Sequence, residues 1–252
     1  MKPTTLTLLC LTLLCLPARA QTLAVEGVTA LAADRQGCCY VVAGSSVAKY
    51  SATLALQARY TCPLGSIASI DASDPFKVAL FCKDFLRIVL LDSKLAQLGN
   101  PLFLPDLNAL RPTAACRSAE NGLWVADAYR RRLLYLDFTL NTSREAALLG
   151  DEAAEVCCMV EREAKVFAGF AGGNLAIFDK FGALLHLLPV PVPCWFDVQG
   201  DLLYYLANGN LYTQNLHALS EAPALVATGV ERCAVGHGAL YTYAKGLLTV
   251  KK

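Results

Sequence analysis

The stretch DPFKVALFCKDFLRIVLLD, residues 74–92, decides the fold of this chain. Two apolar runs, 78–82 and 86–91, flank a short polar step at Lys83-Asp84, and the stretch ends on Asp92. Runs of this length fit either a buried helix or two strands of a hairpin. Recurrence along the chain separates the two readings. VAKYS ends at Ser51, IVLLD at Asp92, LLYLD at Asp137, LAIFD at Asp179, LYTQN at Asn215 and LLTVK at Lys251, at intervals of 36 to 45 residues. Each run follows an earlier apolar run, and turn-forming or polar residues separate the two. Examples are Gly44-Ser45-Ser46, Gly172-Gly173-Asn174 and Asn208-Gly209-Asn210. Asn-Gly and Gly-Gly between apolar runs mark hairpins, because they accept the positive φ that tight turns demand.

A third run precedes each pair: GVTALAAD, SIASIDAS, TAACRSA, EVCCMVE, CWFDV and ERCAV. Six units of about 40 residues, each with at least three short strands, match the blades of a β-propeller. No unit shows i, i+3, i+4, i+7 patterning across a helical length, which disfavours a helical solenoid. The segment 141–156 is the one place with room for a helical turn or two. TLAVEG, residues 22–27, has no partner in the first unit. Pairing it with residues 247–251 closes the ring and removes an exposed sheet edge. The predicted fold is therefore all-β, a six-bladed β-propeller closed by an N-terminal strand in the last blade, forming a single domain over residues 21–252.

Residues 1–20, MKPTTLTLLCLTLLCLPARA, read as a cleaved signal peptide. Lys2 precedes an apolar run over 6–16, Pro17 breaks it, and Ala18-Arg19-Ala20 supplies the small-x-small cleavage pattern. The run is too short to span a bilayer, and Gln21 becomes the new N-terminus. Of 22 basic residues, setting aside Lys2 and Arg19 leaves 20 against 21 acidic ones, a formal charge of −1. Nucleic acid requires a basic face, and this balance gives no reason to expect one. No transmembrane segment is expected after residue 20.

Nine cysteines follow the signal: 38, 39, 62, 82, 116, 157, 158, 194 and 233. Export favours disulfides. Their odd number, the absence of C-x-x-C and their placement within apolar runs favour buried thiols. Both readings stand. Counting back from Leu123, Val166, Leu203 and Leu240 puts Cys116, Cys157, Cys194 and Cys233 on one relative face of their inner strands. The neighbours Cys38-Cys39 and Cys157-Cys158 are expected to face opposite ways.

Chemistry is sparse. His186, His217 and His237 fall in three different units without ligand-like spacing. Neither a sialidase Asp-box nor a G-x-S-x-G elbow occurs. Asp71, Asp127 and Asp197, read near the ends of inner strands, have two readings: they face the mouth of the central channel, or, the favoured one, they cap turns or tie blades together. Asn141-Thr142-Ser143 fits a glycosylation sequon. Two features read either as structural, a solvated hairpin tip and a rigid inter-blade connection with Trp195 packed between blades, or as partner-binding sites. YRRRL, 129–133, places Tyr129, Arg130, Arg131 and Arg132 at a hairpin turn, and arginine beside an aromatic is typical of binding hot spots. PVPVPCWF, 189–196, leads into Trp195.

SIDASDPFKVALFCKDFLRIVLLDSKLAQLG (69–99), NGLWVADAYRRRLLYLD (121–137) and LAIFDKFGALLHLLP (175–189) resemble a family of exported propeller proteins from Bacteroidota-type bacteria. Asp-Pro-hydrophobic-Lys followed by Lys-Asp-Phe carries the resemblance most specifically. It implies an envelope location and a propeller fold, and brings no catalytic residues with it. The expected function is a non-enzymatic periplasmic or envelope propeller that binds or scaffolds a protein of the envelope, without cofactor. The alternative is a lactonase- or lyase-like propeller enzyme with its site at the central channel.

Overall fold

The structure, a computed structural model, describes residues 21–138, 142–147, 155–190, 195–236 and 238–251. The signal segment 1–20, Asn141 of the sequon, residues 191–194 and His237 lie outside the described residues.

Strand β1 (Gln21–Ala24) comes first. The first blade follows with β2 (Ala30–Ala33), β3 (Cys39–Ala43), β4 (Ser46–Tyr50) and β5 (Leu56–Thr61). The second holds β6 (Ser69–Asp71), β7 (Val78–Cys82), β8 (Arg87–Leu91) and β9 (Leu102–Phe103). The third holds β10 (Pro112–Ser118), β11 (Gly122–Asp127), β12 (Arg132–Asp137) and β13 (Thr142–Ala147). The fourth holds β14 (Val156–Arg162), β15 (Lys165–Phe170), β16 (Leu175–Asp179) and β17 (Leu184–Leu188). The fifth holds β18 (Phe196–Gln199), β19 (Leu202–Ala207), β20 (Asn210–Asn215) and β21 (Ala224–Thr228). The sixth holds β22 (Arg232–Gly236), β23 (Ala239–Ala244) and β24 (Leu247–Lys251), with β1 as its outer strand. The result is a six-bladed β-propeller of four-stranded antiparallel sheets.

The stretch 74–92 is a hairpin of the second blade. β7 and β8 pair from Val78↔Leu91 to Cys82↔Arg87. The polar step forms a 3-10 turn, Lys83–Phe85, which ends where Leu86 takes a left-handed conformation at φ 52. All five residues of β7 are buried, and strand alternation explains why. Val78, Leu80 and Cys82 pack with the first blade, while Ala79 and Phe81 pack with the third. A blade buries both of its faces, so its middle strands read as continuous apolar runs. The same logic holds around the ring, where a cluster of buried residues fills each of the six interfaces between neighbouring blades.

Turns repeat with the blades. Asp92 Oδ1 accepts the N–H groups of Lys94 and Ala96, both at 2.8 Å. Asp179 does the same for Phe181 and Ala183. Ser51 and Asn215 stand at the equivalent place and cap the same turn in their blades. Asn208 and Gly209 both have positive φ, 51° and 72°, as the tight hairpin between β19 and β20 requires.

Ring closure follows the predicted pairing. β1 lies antiparallel to β24, from Gln21↔Val250 to Ala24↔Leu247, and the Val25 N–H continues the contact to the Gly246 carbonyl at 2.9 Å. Within the segment 141–156, residues 142–147 form the fourth strand of the third blade, and residues 148–154 lie outside the described residues. One expectation needs correction. Asp127 ends β11, a second strand, not an inner one. Each blade also has a fourth strand. Outer strands such as β5 and β21 face solvent, so β5 carries little apolar signal and the apolar run ALVAT of β21 stays largely exposed. No helix among the described residues is long and apolar enough to cross a membrane.

Candidate binding site in the central channel

The inner strands β2, β6, β10, β14, β18 and β22 surround a cavity of about 790 Å³, within the size range of small-molecule sites. Its wall is mostly apolar, with alanine the commonest residue. Polar groups interrupt it at a few points. Lys83 and Asn208 sit on hairpin tips and Arg232 begins β22, while Asp71 ends β6 and Arg162 ends β14.

Arg162 and Asp197 form the charged centre of this wall. Arg162 Nη2 stands 2.8 Å from Asp197 Oδ1, and Nη1 donates to the Glu161 carbonyl at 2.9 Å. The same Asp197 oxygen accepts the Val198 N–H at 2.8 Å. Burial raises the Asp197 carboxyl above its ordinary range, against the pull of Arg162. For Arg162 burial works downward, but the carboxylates of Asp197 and Asp71 win and raise it, so it stays charged. The pair joins the fourth blade to the fifth.

Other acids serve the frame. Asp71 Oδ2 accepts the Arg117 N–H at 2.8 Å, tying the second blade to the third, and its Oδ1 caps Ser73. Asp127 accepts the N–H groups of Arg111 and Tyr129. Glu161 receives the Trp124 indole N–H and the Ala119 N–H, both at 2.9 Å, from the neighbouring blade. His186 and His217 are exposed and belong to different blades. Among the described residues no three His, Cys, Asp or Glu side chains stand together as a metal site would need.

The residues singled out in the sequence separate into three places. Tyr129, Arg130 and Arg131 are exposed at the tip of the β11–β12 hairpin, Tyr129 by 68%. Arg132 is not part of an open tip. It is buried, donates to the Asn108 carbonyl at 3.0 Å and pairs with Glu145 at 2.6 Å. Trp195 lines the channel cavity and packs between the fifth and sixth blades.

Three features escaped sequence reading. Phe85 and Leu110 are exposed, by 50% and 41%, on loops hydrogen-bonded in series to the Tyr129 hairpin. The Leu86 carbonyl accepts from Leu104, and the Arg111 carbonyl from Ala128. An aromatic residue in the polar hairpin step was the available signal for Phe85. Arg162 directly follows the apolar run EVCCMVE, and nothing local announces a partner in another blade. The third feature is the sulfur pair of Cys157 and Cys158 in the cavity wall. The expected common face for Cys116, Cys157 and Cys233 also fails: Cys116 packs toward the following blade, Cys233 packs toward the preceding one, and Cys157 stands at a bulge. Cys194 lies outside the described residues.

The class this architecture defines is the six-bladed β-propeller with an accessible central channel. Solved structures share the fold. Streptogramin B lyase aligns with a TM-score of 0.63 at 11% identity, over 90% of this chain and 81% of that one. BamB from Moraxella catarrhalis aligns at 0.55 and 14% identity, over 87% and 81%. The Pan2 WD40 domain of Neurospora crassa aligns at 0.63 and 9% identity, over 89% and 88%. At these identities the likeness concerns fold alone. No protein-family model matches the sequence, and no curated protein matches it.

Proposed function

We propose that this chain is an exported, non-enzymatic propeller of the cell envelope that binds another envelope protein through the loops carrying Phe85, Leu110 and Tyr129. The observation that supports it is the exposure of these three large side chains on loops linked by backbone hydrogen bonds, bordered by Arg130. Exposed aromatics with arginine at their edge have the composition of interface hot spots, and a rigid blade frame holds them at little entropic cost. Residues 1–20 support export to the periplasm or the periplasmic face of the outer membrane, in keeping with the resemblance of residues 69–99 to exported propellers.

The test compares wild type with a Phe85→Ala/Tyr129→Ala chain as baits in envelope extracts. A partner retained by wild type and lost by the variant, at unchanged melting temperature, supports the reading. Identical partners for both chains overturn it. Export has its own readout, since protein recovered from cells should begin at Gln21. A chain that keeps Met1 would contradict it.

A second reading rests on the Arg162–Asp197 pair in the 790 Å³ cavity, where a polar small molecule could be bound and transformed, as in a lyase- or lactonase-like propeller. Turnover of a small substrate by wild type and its loss in Arg162→Met would select this reading.

A further inference from the structure

In β14 the pairing with β15 jumps from Val156↔Phe170 to Cys158↔Gly169, so Cys157 is the extra residue of a β-bulge. A bulge breaks the alternation that sends neighbouring side chains to opposite faces. The sulfurs of Cys157 and Cys158 accordingly lie 3.8 Å apart, contrary to the expectation from regular strand geometry. Both residues line the central cavity. Both are partly exposed, while the other six cysteines among the described residues are buried. Gly169 makes room for them: a Cβ there would stand 2.8 Å from Cys158 Sγ. Its carbonyl also accepts the Cys157 thiol at 3.4 Å.

Sulfurs that are adjacent, accessible and held in a channel suit one chemistry. We propose that Cys157 and Cys158 form a reversible thiol–disulfide exchange site in the central channel, whose co-reactant is a small-molecule disulfide. One thiolate attacks a sulfur of that disulfide, forming a mixed disulfide and releasing half of the co-reactant as a thiol. The second thiolate then attacks the protein sulfur of the mixed disulfide and releases the other half. The two cysteines lose two protons and two electrons, and the small disulfide becomes two thiols. The new bond closes a ring through a single peptide unit. Adjacent Cα atoms are about 3.8 Å apart, less than the roughly 4.4–6.8 Å of relaxed disulfides. The bond is therefore strained and easily reduced, the property of exchangeable rather than structural disulfides.

Trypsin makes the test direct, because cleavage after Arg144 and Arg162 releases residues 145–162 with these two cysteines and no others. The full chain is reduced, exposed to oxidised glutathione, acid-quenched, unfolded, alkylated and digested. The expected result is loss of both alkyl labels from this peptide, which becomes two hydrogens lighter than its reduced form, and return of both labels after dithiothreitol. Retention of both labels overturns the site. So does a glutathione adduct that never closes, or a link to another peptide such as the one bearing Cys194. Label loss at the same rate in urea-unfolded chain would also overturn it, because sequence adjacency rather than the bulge would then be responsible.

Discussion

The guanidinium of Arg162 and the carboxylate of Asp197 meet at 2.8 Å across the boundary between the fourth and fifth blades, in the wall of the channel. Their side chains are 26% and 13% exposed, so solvent screens part of the interaction. Removing the cation by Arg162→Met strands a largely buried carboxylate and should cost about 2 kcal/mol, below the range for fully buried pairs because of that screening. The cost depends on pH. Burial already raises the folded pKa of Asp197, so its contribution to stability is present below the ordinary Asp value near 3.9. That contribution is lost as pH rises through the folded value. Without Arg162 the folded value climbs further, and the loss on raising pH grows. Urea unfolding near pH 4 and near pH 8 should show the larger deficit at the higher pH. An equal deficit at both would mean that the pair does not control Asp197.

Ring closure rests on four residues of β1. Deleting residues 21–27 uncovers the edge of β24 and removes Leu23 and Val25, which pack on the buried cluster of the sixth blade. At about 1 kcal/mol for each lost ladder hydrogen bond, the melting temperature should fall by roughly 10 °C, at about 2–4 °C per kcal/mol for a chain of this size. Size-exclusion chromatography should also show aggregation through the open edge. A truncated chain that melts with wild type and stays monomeric would refute closure through this strand.

Trp124 is fully buried, and its indole N–H donates to Glu161 of the next blade. Glu161→Ala leaves that donor and the Ala119 N–H without their shared acceptor, and should destabilise by about 2–4 kcal/mol. Glu161→Gln retains one acceptor oxygen and should lose less. Chemical denaturation of the two variants provides the ranking, and a reversed order would show that Glu161 does not anchor Trp124.

Burial keeps most thiols unreactive. It pushes Cys82 up to about 12, with a further rise from its contact with Cys62, whose sulfur lies 3.4 Å away. It also raises Cys39, Cys116 and Cys233. Since the thiolate is the nucleophile, alkylation of the native chain at mildly alkaline pH should mark Cys157 and Cys158 well before Cys39, Cys62, Cys82, Cys116 and Cys233. Mass spectrometry of timed samples reads the order. Early labelling of any of those five would place it in a more open site than the folded structure has.

The sequence by itself determined the blade. In 74–92, two apolar runs around Lys83-Asp84 and a terminal Asp92 specify a hairpin and its exit turn through local forces: alternation, turn propensity and side-chain capping. Six repetitions of that unit, with TLAVEG left for the last one, then determine the ring, because each sheet must bury both faces against a neighbour. Exposure of Tyr129 at a hairpin tip was legible for the same reason. Only the tertiary structure decided what depends on contacts between blades or on breaks in regularity. Arg132 stands beside Arg131 in sequence yet is buried, because Glu145 of the adjacent strand and the Asn108 carbonyl receive its charge. Arg162 meets Asp197 only once two blades stand side by side. Cys157 and Cys158 share the channel because a single bulged residue in the β14–β15 hairpin shifts the strand's register, and such a break in alternation leaves no mark in the apolar pattern.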